Sequence, residues 1–200
     1  MTVDSRRTDT RERALAVALE LFAQQGYTVT SLREIAERLG VTKAALYFHF
    51  RTKEEILTAI LRGYLDGIAA LVVTAEASPR SPERQERLLR AFAAHQQQWG
   101  SDLTLLVRQN ATEIHGLPIA AEIKEVMQSM IAVLAPPGAD TAQRLRVRTA
   151  LTTFQVAALT AIRDEEGNEA ELREAALALA LEILRGGPAV SAPPASPPAG

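Results

Sequence analysis

The sequence predicts an all-α protein, with an N-terminal three-helix helix-turn-helix domain and a C-terminal helical bundle. Three observations carry this. Apolar residues recur at the i, i+3, i+4 spacing of buried helix stripes in segment after segment. No Val/Ile-rich alternating run calls for a sheet. Residues 30 to 53, T-S-L-R-E-I-A-E-R-L-G-V-T-K-A-A-L-Y-F-H-F-R-T-K, read as two short helices separated by a glycine turn. With 200 residues, 47% of them apolar, the chain has ample material for a core.

Residues 1 to 9 lack apolar periodicity and are expected to form a flexible polar arm carrying Arg6 and Arg7. A first helix begins near Thr10 and buries Ala14, Leu15, Ala18, Leu19 and Phe22, with Gly26 as its stop. The second helix starts at Ser31, where Glu34 completes an S-x-x-E capping box, and it buries Leu32, Ile35, Ala36 and Leu39. Gly40 ends it through its tolerance of positive φ, and Val41 plugs the turn. Thr42 caps a third helix, Lys43 to about Phe50, in which Leu46 and Phe50 point inward. Lys43, Ala44, Ala45, Tyr47 and His49 are left on or near its outer surface.

A longer helix opens at Lys53 and runs to about Thr74, leaving the small domain for the large one. Ser78 to Pro82 breaks it. Further helices are expected over residues 82–99, 101–113, 118–134, 141–163 and 168–185, divided by turn signals at Gly100, at 115–118, at Pro136-Pro137-Gly138 and at Gly167. The domains are therefore 10–52 and 53–186, and the Pro/Ala-rich residues 187–200 are expected to be a disordered tail. The last two helices carry apolar residues over more than one face: Leu145, Leu151, Phe154, Val156, Leu159 and Ile162 in one, Leu172, Leu177, Leu179, Ile183 and Leu184 among those in the other. Either both are central in the monomer, or they form a four-helix interface with a second copy.

Charge divides along the same boundary. Residues 1 to 53 hold nine Lys/Arg against six Asp/Glu, a net +3; the remainder is −5, within a total of −2. That asymmetry suits an N-terminal module that meets phosphate. The chain has nineteen arginines but only three lysines, and Lys43 and Lys53 are two of those. The absence of cysteine excludes disulfides, thiolate catalysis and Cys-based zinc sites. His115 lies two residues from Glu113, a spacing that does not bring both to one helix face, and no nucleophile elbow, phosphate loop or carboxylate pair stands out. An enzyme, a cofactor and a bound metal are thus not expected. No apolar signal core or membrane-length run is read from the sequence, so a cytoplasmic location away from membranes is expected.

Ala18 to Tyr27, A-x-x-L-F-x-x-x-G-Y, followed by residues 30 to 57, resembles the DNA-binding domain of the TetR family of bacterial transcription regulators. A helix-turn-helix lays its second helix in the major groove. Lys43 can donate to guanine, and Ala44 and Ala45 can touch a thymine methyl. Thr42, Tyr47, His49 and Lys53 can bond phosphates, as the matching family positions do. Arg33 matches a position that reaches a base in some members.

The resemblance also implies a homodimer through residues 141–163 and 168–185, a pseudo-palindromic operator of double-stranded DNA, and a small-molecule effector that releases it. Phe92, His95, Gln96, Trp99, Leu106, Gln109, Asn110, Glu113, Met127, Met130 and Phe154 are candidate effector contacts, being large or polar residues of the mid-body helices. The alternative is the same fold acting as a constitutive or protein-controlled regulator with no small-molecule effector.

Overall fold

The structure, a computed structural model, describes the backbone of residues 3–163 and 169–186. Within them are α1 (Val3–Gln24), α2 (Leu32–Leu39), α3 (Lys43–His49), α4 (Lys53–Glu76), α5 (Pro82–Gln109), α6 (Ala111–His115), α7 (Ile119–Leu134), α8 (Thr141–Arg163) and α9 (Glu169–Arg185), with no strand among the described residues. The all-α reading is correct. Residues 3–9, expected as an arm, instead continue α1. They contain neither Pro nor Gly, so nothing in their backbone chemistry interrupts a helix started downstream. The expected tail, 187–200, and the expected helix start at Asn168 lie outside the described residues.

Two cores are stacked along α4. The first gathers Ala14, Ala18 and Phe22 of α1, Ile35 of α2, Leu46 of α3 and Ile56, Leu57 and Ile60 of α4. The second gathers Ile68 and Val72 of α4 with Leu89, Phe92, Met130, Leu151, Phe154 and Ala180. Thus α4 contributes to both cores. One 18-residue stretch of it is long and apolar enough to meet a membrane-span criterion, contrary to the expectation that no run approaches that length. One face of it packs on protein, with Ile56, Leu57, Ile60, Leu61, Leu65, Ile68, Val72 and Ala75 buried, and α1, α5 and α7 are its neighbours, while Val73 is exposed.

The break expected at Gly100 is real but softer than a turn. Gly100 alone leaves helical geometry, at φ 66° and ψ −170°, within the span of α5. The kink re-aims the helix. Leu88, Leu89 and Phe92 before it serve the second core, whereas Leu103 and Leu106 after it join the first. The helix expected to reach Glu113 stops earlier, at Asn110, whose side-chain amide donates to the Leu106 carbonyl at 2.8 Å and competes with the backbone ladder.

Candidate DNA-reading face and body cavity

The turn between α2 and α3 is built by its own end residues. Ser31 Oγ accepts from the Glu34 amide at 3.2 Å. The expected second half of the capping box is diverted, because the Glu34 carboxylate accepts from Gln25 Nε2 at 2.7 Å and so ties α2 to the end of α1. Gly40, at φ 73°, donates to Glu37 O, and Val41 donates to Ala36 O, the paired bonds of a Schellman closure. Thr42 Oγ1 then caps α3 by accepting from the Ala45 amide at 3.2 Å. Buried Thr30 donates to Gly26 O at 2.8 Å and fixes the entry to α2.

Leu46 and Phe50 hold α3 to the core, as their i, i+4 spacing predicts. Opposite them, Thr42, Lys43, Ala44 and Tyr47 are exposed, while Ala45 and His49 are half-buried. The Lys43 ammonium sits over the Tyr47 ring, 5.2 Å from its centroid. Phe48, absent from the expected set, is 66% exposed, with its ring against His49 at 5.3 Å. The pattern that could have found it is simple: Phe48 lies one turn beyond Ala44 on the outward face.

Arg33 is exposed on α2 and pairs with Glu37 at 2.7 Å, an i, i+4 bridge of a kind that contributes little in water and is readily exchanged for another anion. Lys53 is placed differently from the expectation of a free phosphate ligand. Its ammonium donates to Tyr27 O at 2.7 Å and Thr28 O at 2.9 Å and lies over the Tyr27 ring, so it clamps the start of α4 to the turn after α1. Partial burial lowers its pKa. One of its three N–H groups remains for a phosphate.

In the body, α4, α5, α6, α7 and α8 line a cavity of about 630 Å³. Leu61, Tyr64 and Leu65 of α4 form one wall, with Phe92, Leu103, Ile123, Met127, Ile131, Leu151 and Leu159 around it. Of the expected contacts, Phe92, Gln96 and Met127 line it, and Phe154 lines a smaller neighbouring cavity of about 240 Å³ that Gln96 shares.

The other seven do other work. Leu106 and Met130 are core, in keeping with their apolar periodicity. Gln109 and Glu113 face solvent. Asn110 is buried and accepts from the Tyr27 amide at 3.3 Å, strapping the body to the turn after α1. His95 and Trp99 pack on α4. The His95 ring stacks on Tyr64 at 5.1 Å with its Nε2 at 2.9 Å from Tyr64 O, and Trp99 meets the Tyr64 ring edge-on. Gly63 and Gly67 make that approach possible. A Cβ on Gly67 would lie 2.1 Å from His95 Cε1, and one on Gly63 3.2 Å from Trp99. Two glycines four apart inside an apolar helix cost helix propensity, and that cost was the available signal of a close contact.

Missed by the sequence reading were Arg108, Thr104, Arg148, Thr152 and Gln155, polar residues of α5 and α8 at the same cavity. They bear no motif. The Tyr64 hydroxyl donates to Gln96 Oε1 at 2.8 Å, and burial raises its pKa.

With this geometry established, comparison with known proteins gives a consistent result. Residues 14–60 match the family of bacterial regulatory proteins, tetR family. The HTH-type transcriptional regulator AcrR of Shigella flexneri is 50% identical over 52 residues, which are 26% of this chain and 24% of that protein. The HTH-type transcriptional repressor KstR2 of Mycobacterium tuberculosis is 41% identical over 68 residues, 34% of this chain and 32% of the repressor. These matches span a quarter to a third of the relatives' own length.

Solved structures extend the likeness in fold over nearly the whole chain. A TetR family transcriptional regulator, PfmR of Thermus thermophilus, superposes with a TM-score of 0.69 at 27% identity, over 87% of this chain and 98% of that one. The ketosteroid transcriptional regulator KstR2 of Mycobacterium tuberculosis does so at 0.62 and 24% identity, over 90% and 95%, a likeness of fold. By these likenesses, residues 14–60 match the DNA-binding part of the tetR family of bacterial regulatory proteins, and the all-helical fold is similar to that of a TetR family transcriptional regulator over most of its length.

Proposed function

We propose that this regulator binds a pseudo-palindromic operator as a homodimer and is released from it by a small molecule held in the body cavity. The observation that carries the proposal is the double role of α4. Its first residue clamps the turn after α1, and Leu61, Tyr64 and Leu65, beginning about 12 Å further along its axis, wall the cavity. A ligand that prefers one setting of α4 over another therefore biases the placement of α3 by the difference in its affinities for the two settings. Repression is favoured because the relative KstR2 is by name a repressor.

Dimerisation is supported by apolar residues left in water on the last two helices: Leu145 (60% exposed) and Val156 (61%) on α8, and Leu179 (50%) on α9. A second copy covering this face would set two α3 helices on one duplex, and a single recognition helix spans too few base pairs to specify a site alone.

Lys43 and Tyr47 are assigned to the bases and backbone of the major groove, with Phe48 beside them as an apolar contact and Thr42, His49 and the third N–H of Lys53 on phosphates. Fluorescence anisotropy on the DNA upstream of its own gene, at about 0.1 M salt, tests this. Lys43→Ala and Tyr47→Ala should each weaken binding by roughly 5- to 150-fold, the equivalent of about 1–3 kcal/mol per lost contact. Unchanged affinity in both variants would overturn the assignment. If no compound raises the melting temperature of the protein, a regulator without a small-molecule effector is the better reading.

A further inference from the structure

We infer that the body cavity takes an elongated apolar molecule ending in one anionic group, a carboxylate or a phosphate, which Arg108 and Arg148 receive at the mouth. This rests on the reading that the cavity is a ligand site and adds the ligand's chemical class. The first support is sign. In a chain with 24 acidic and 22 basic residues, the lining contains two arginines and neither Asp nor Glu. The second is vacancy of partners. Arg108 and Arg148, like Arg87 and Arg146 outside the cavity, have no ion-pair partner among the described residues, so both guanidiniums are open to an anion, and these two alone of that group line the cavity.

The distribution of polarity supplies the shape of the ligand. Both arginines are exposed, as are Thr152 and Gln155 beside Arg148, so the charged end of the ligand keeps part of its water and escapes most of the desolvation cost of a buried ion pair. The guanidinium fork matches a carboxylate or phosphate through paired N–H donors. Further in, the wall is Leu, Ile, Phe and Met, and the Tyr64 hydroxyl already donates to Gln96, so the interior makes little demand for a polar ligand body. A volume of about 630 Å³ lies within the roughly 300–1,000 Å³ of small-molecule sites. A cationic amphiphile would meet two like charges at the mouth.

Calorimetric titration of the full chain with a matched alkyl series, each member below its micelle concentration, tests the inference. The series comprises dodecanoate, dodecyl phosphate, dodecanol and dodecyltrimethylammonium. At least one anion should bind about tenfold or more tighter than the alcohol, which should bind tighter than the cation. The tighter anion identifies the head group. In the Arg108→Gln/Arg148→Gln double variant the anion should fall to the alcohol's affinity while the alcohol is unchanged, a result that also shows the cavity intact. Equal binding of anion and alcohol, preference for the cation, no binding by any member, or selectivity that survives the double variant would each overturn the inference. Repeating the series in the DNA anisotropy assay separates it from the functional reading. Selective anion binding without loss of DNA leaves the inference standing and removes ligand release. Release of DNA by the neutral compound alone does the reverse.

Discussion

Arg84→Ala is expected to lower stability by about 3 kcal/mol, the loss of hydrogen bonds from a charged donor to two carbonyls, of which that of Val133 stays behind in the interior. The reason begins in the sequence. Helix α7 ends before Pro136-Pro137, and proline has no N–H, so the Ala132 and Val133 carbonyls lose the donors that a continuing helix would supply at those positions. Side chains from the α4–α5 connection and the first turn of α5 replace them. Arg84 donates to Val133 O at 3.0 Å and to Ser78 O at 2.9 Å. Arg80 donates to Ala135 O at 2.8 Å and Ala132 O at 3.4 Å, and Gln85 to Leu134 O at 2.6 Å.

Cations at a helix C-terminus also meet the favourable end of its dipole. Against this stands the desolvation of a buried guanidinium whose Nε has no partner. The carbonyl bonds should outweigh it, since removing Arg84 does not restore water to the carbonyls. Thermal unfolding reads the outcome. For a domain of this size, about 3 kcal/mol corresponds to roughly 6–12 °C in Tm. Arg84→Met, which refills the volume but not the donors, should fall between wild type and Arg84→Ala. A Met variant as stable as wild type would mean that burial of the charge outweighs its bonds.

Gly67→Ala should destabilise by about 1–3 kcal/mol, even though alanine in a helix interior is favoured over glycine by about 1 kcal/mol. The new methyl would fall 2.1 Å from His95 Cε1, and the ring cannot yield without leaving the Tyr64 stack and its contact with Tyr64 O. Gly63→Ala, whose methyl would meet Trp99 at 3.2 Å, should be much milder. Adding His95→Ala to Gly67→Ala should recover part of the loss, and a double-mutant cycle measures the coupling. Additive effects would mean that α4 and α5 do not press on each other through this pair. Because Tyr64 also lines the cavity, Gly67→Ala should shift ligand affinity as well as stability.

What could be read in advance follows from how local the determining chemistry is. Ser31, Gly40, Thr42 and the Leu46/Phe50 pair act within a turn or two of themselves, so α3 and the turn before it were legible residue by residue. Lys53 was legible as a basic residue at the mouth of a helix, but its partners are carbonyls 25 and 26 residues away, which no spacing rule reaches. The cavity was least legible. It is the space left where five helices fail to fill a volume, and its walls are mostly the apolar residues that any core would use. Size and polarity picked out Phe92, Gln96 and Met127, which line the cavity, yet also took in Leu106 and Met130, which are core, and Asn110, which is a strap.

The central claim is that two copies of this chain read DNA sequence through paired α3 helices. Selection of bound duplexes from a random library by the full-length protein tests it most directly. The account predicts enrichment of one sequence with an approximate dyad, its half-sites about one helical turn apart or a multiple of it. Lys43→Ala and Tyr47→Ala should change or abolish the preferred half-site rather than merely weaken all binding. Enrichment of a single site without a dyad, or the same dyad selected unchanged by both variants, would contradict it.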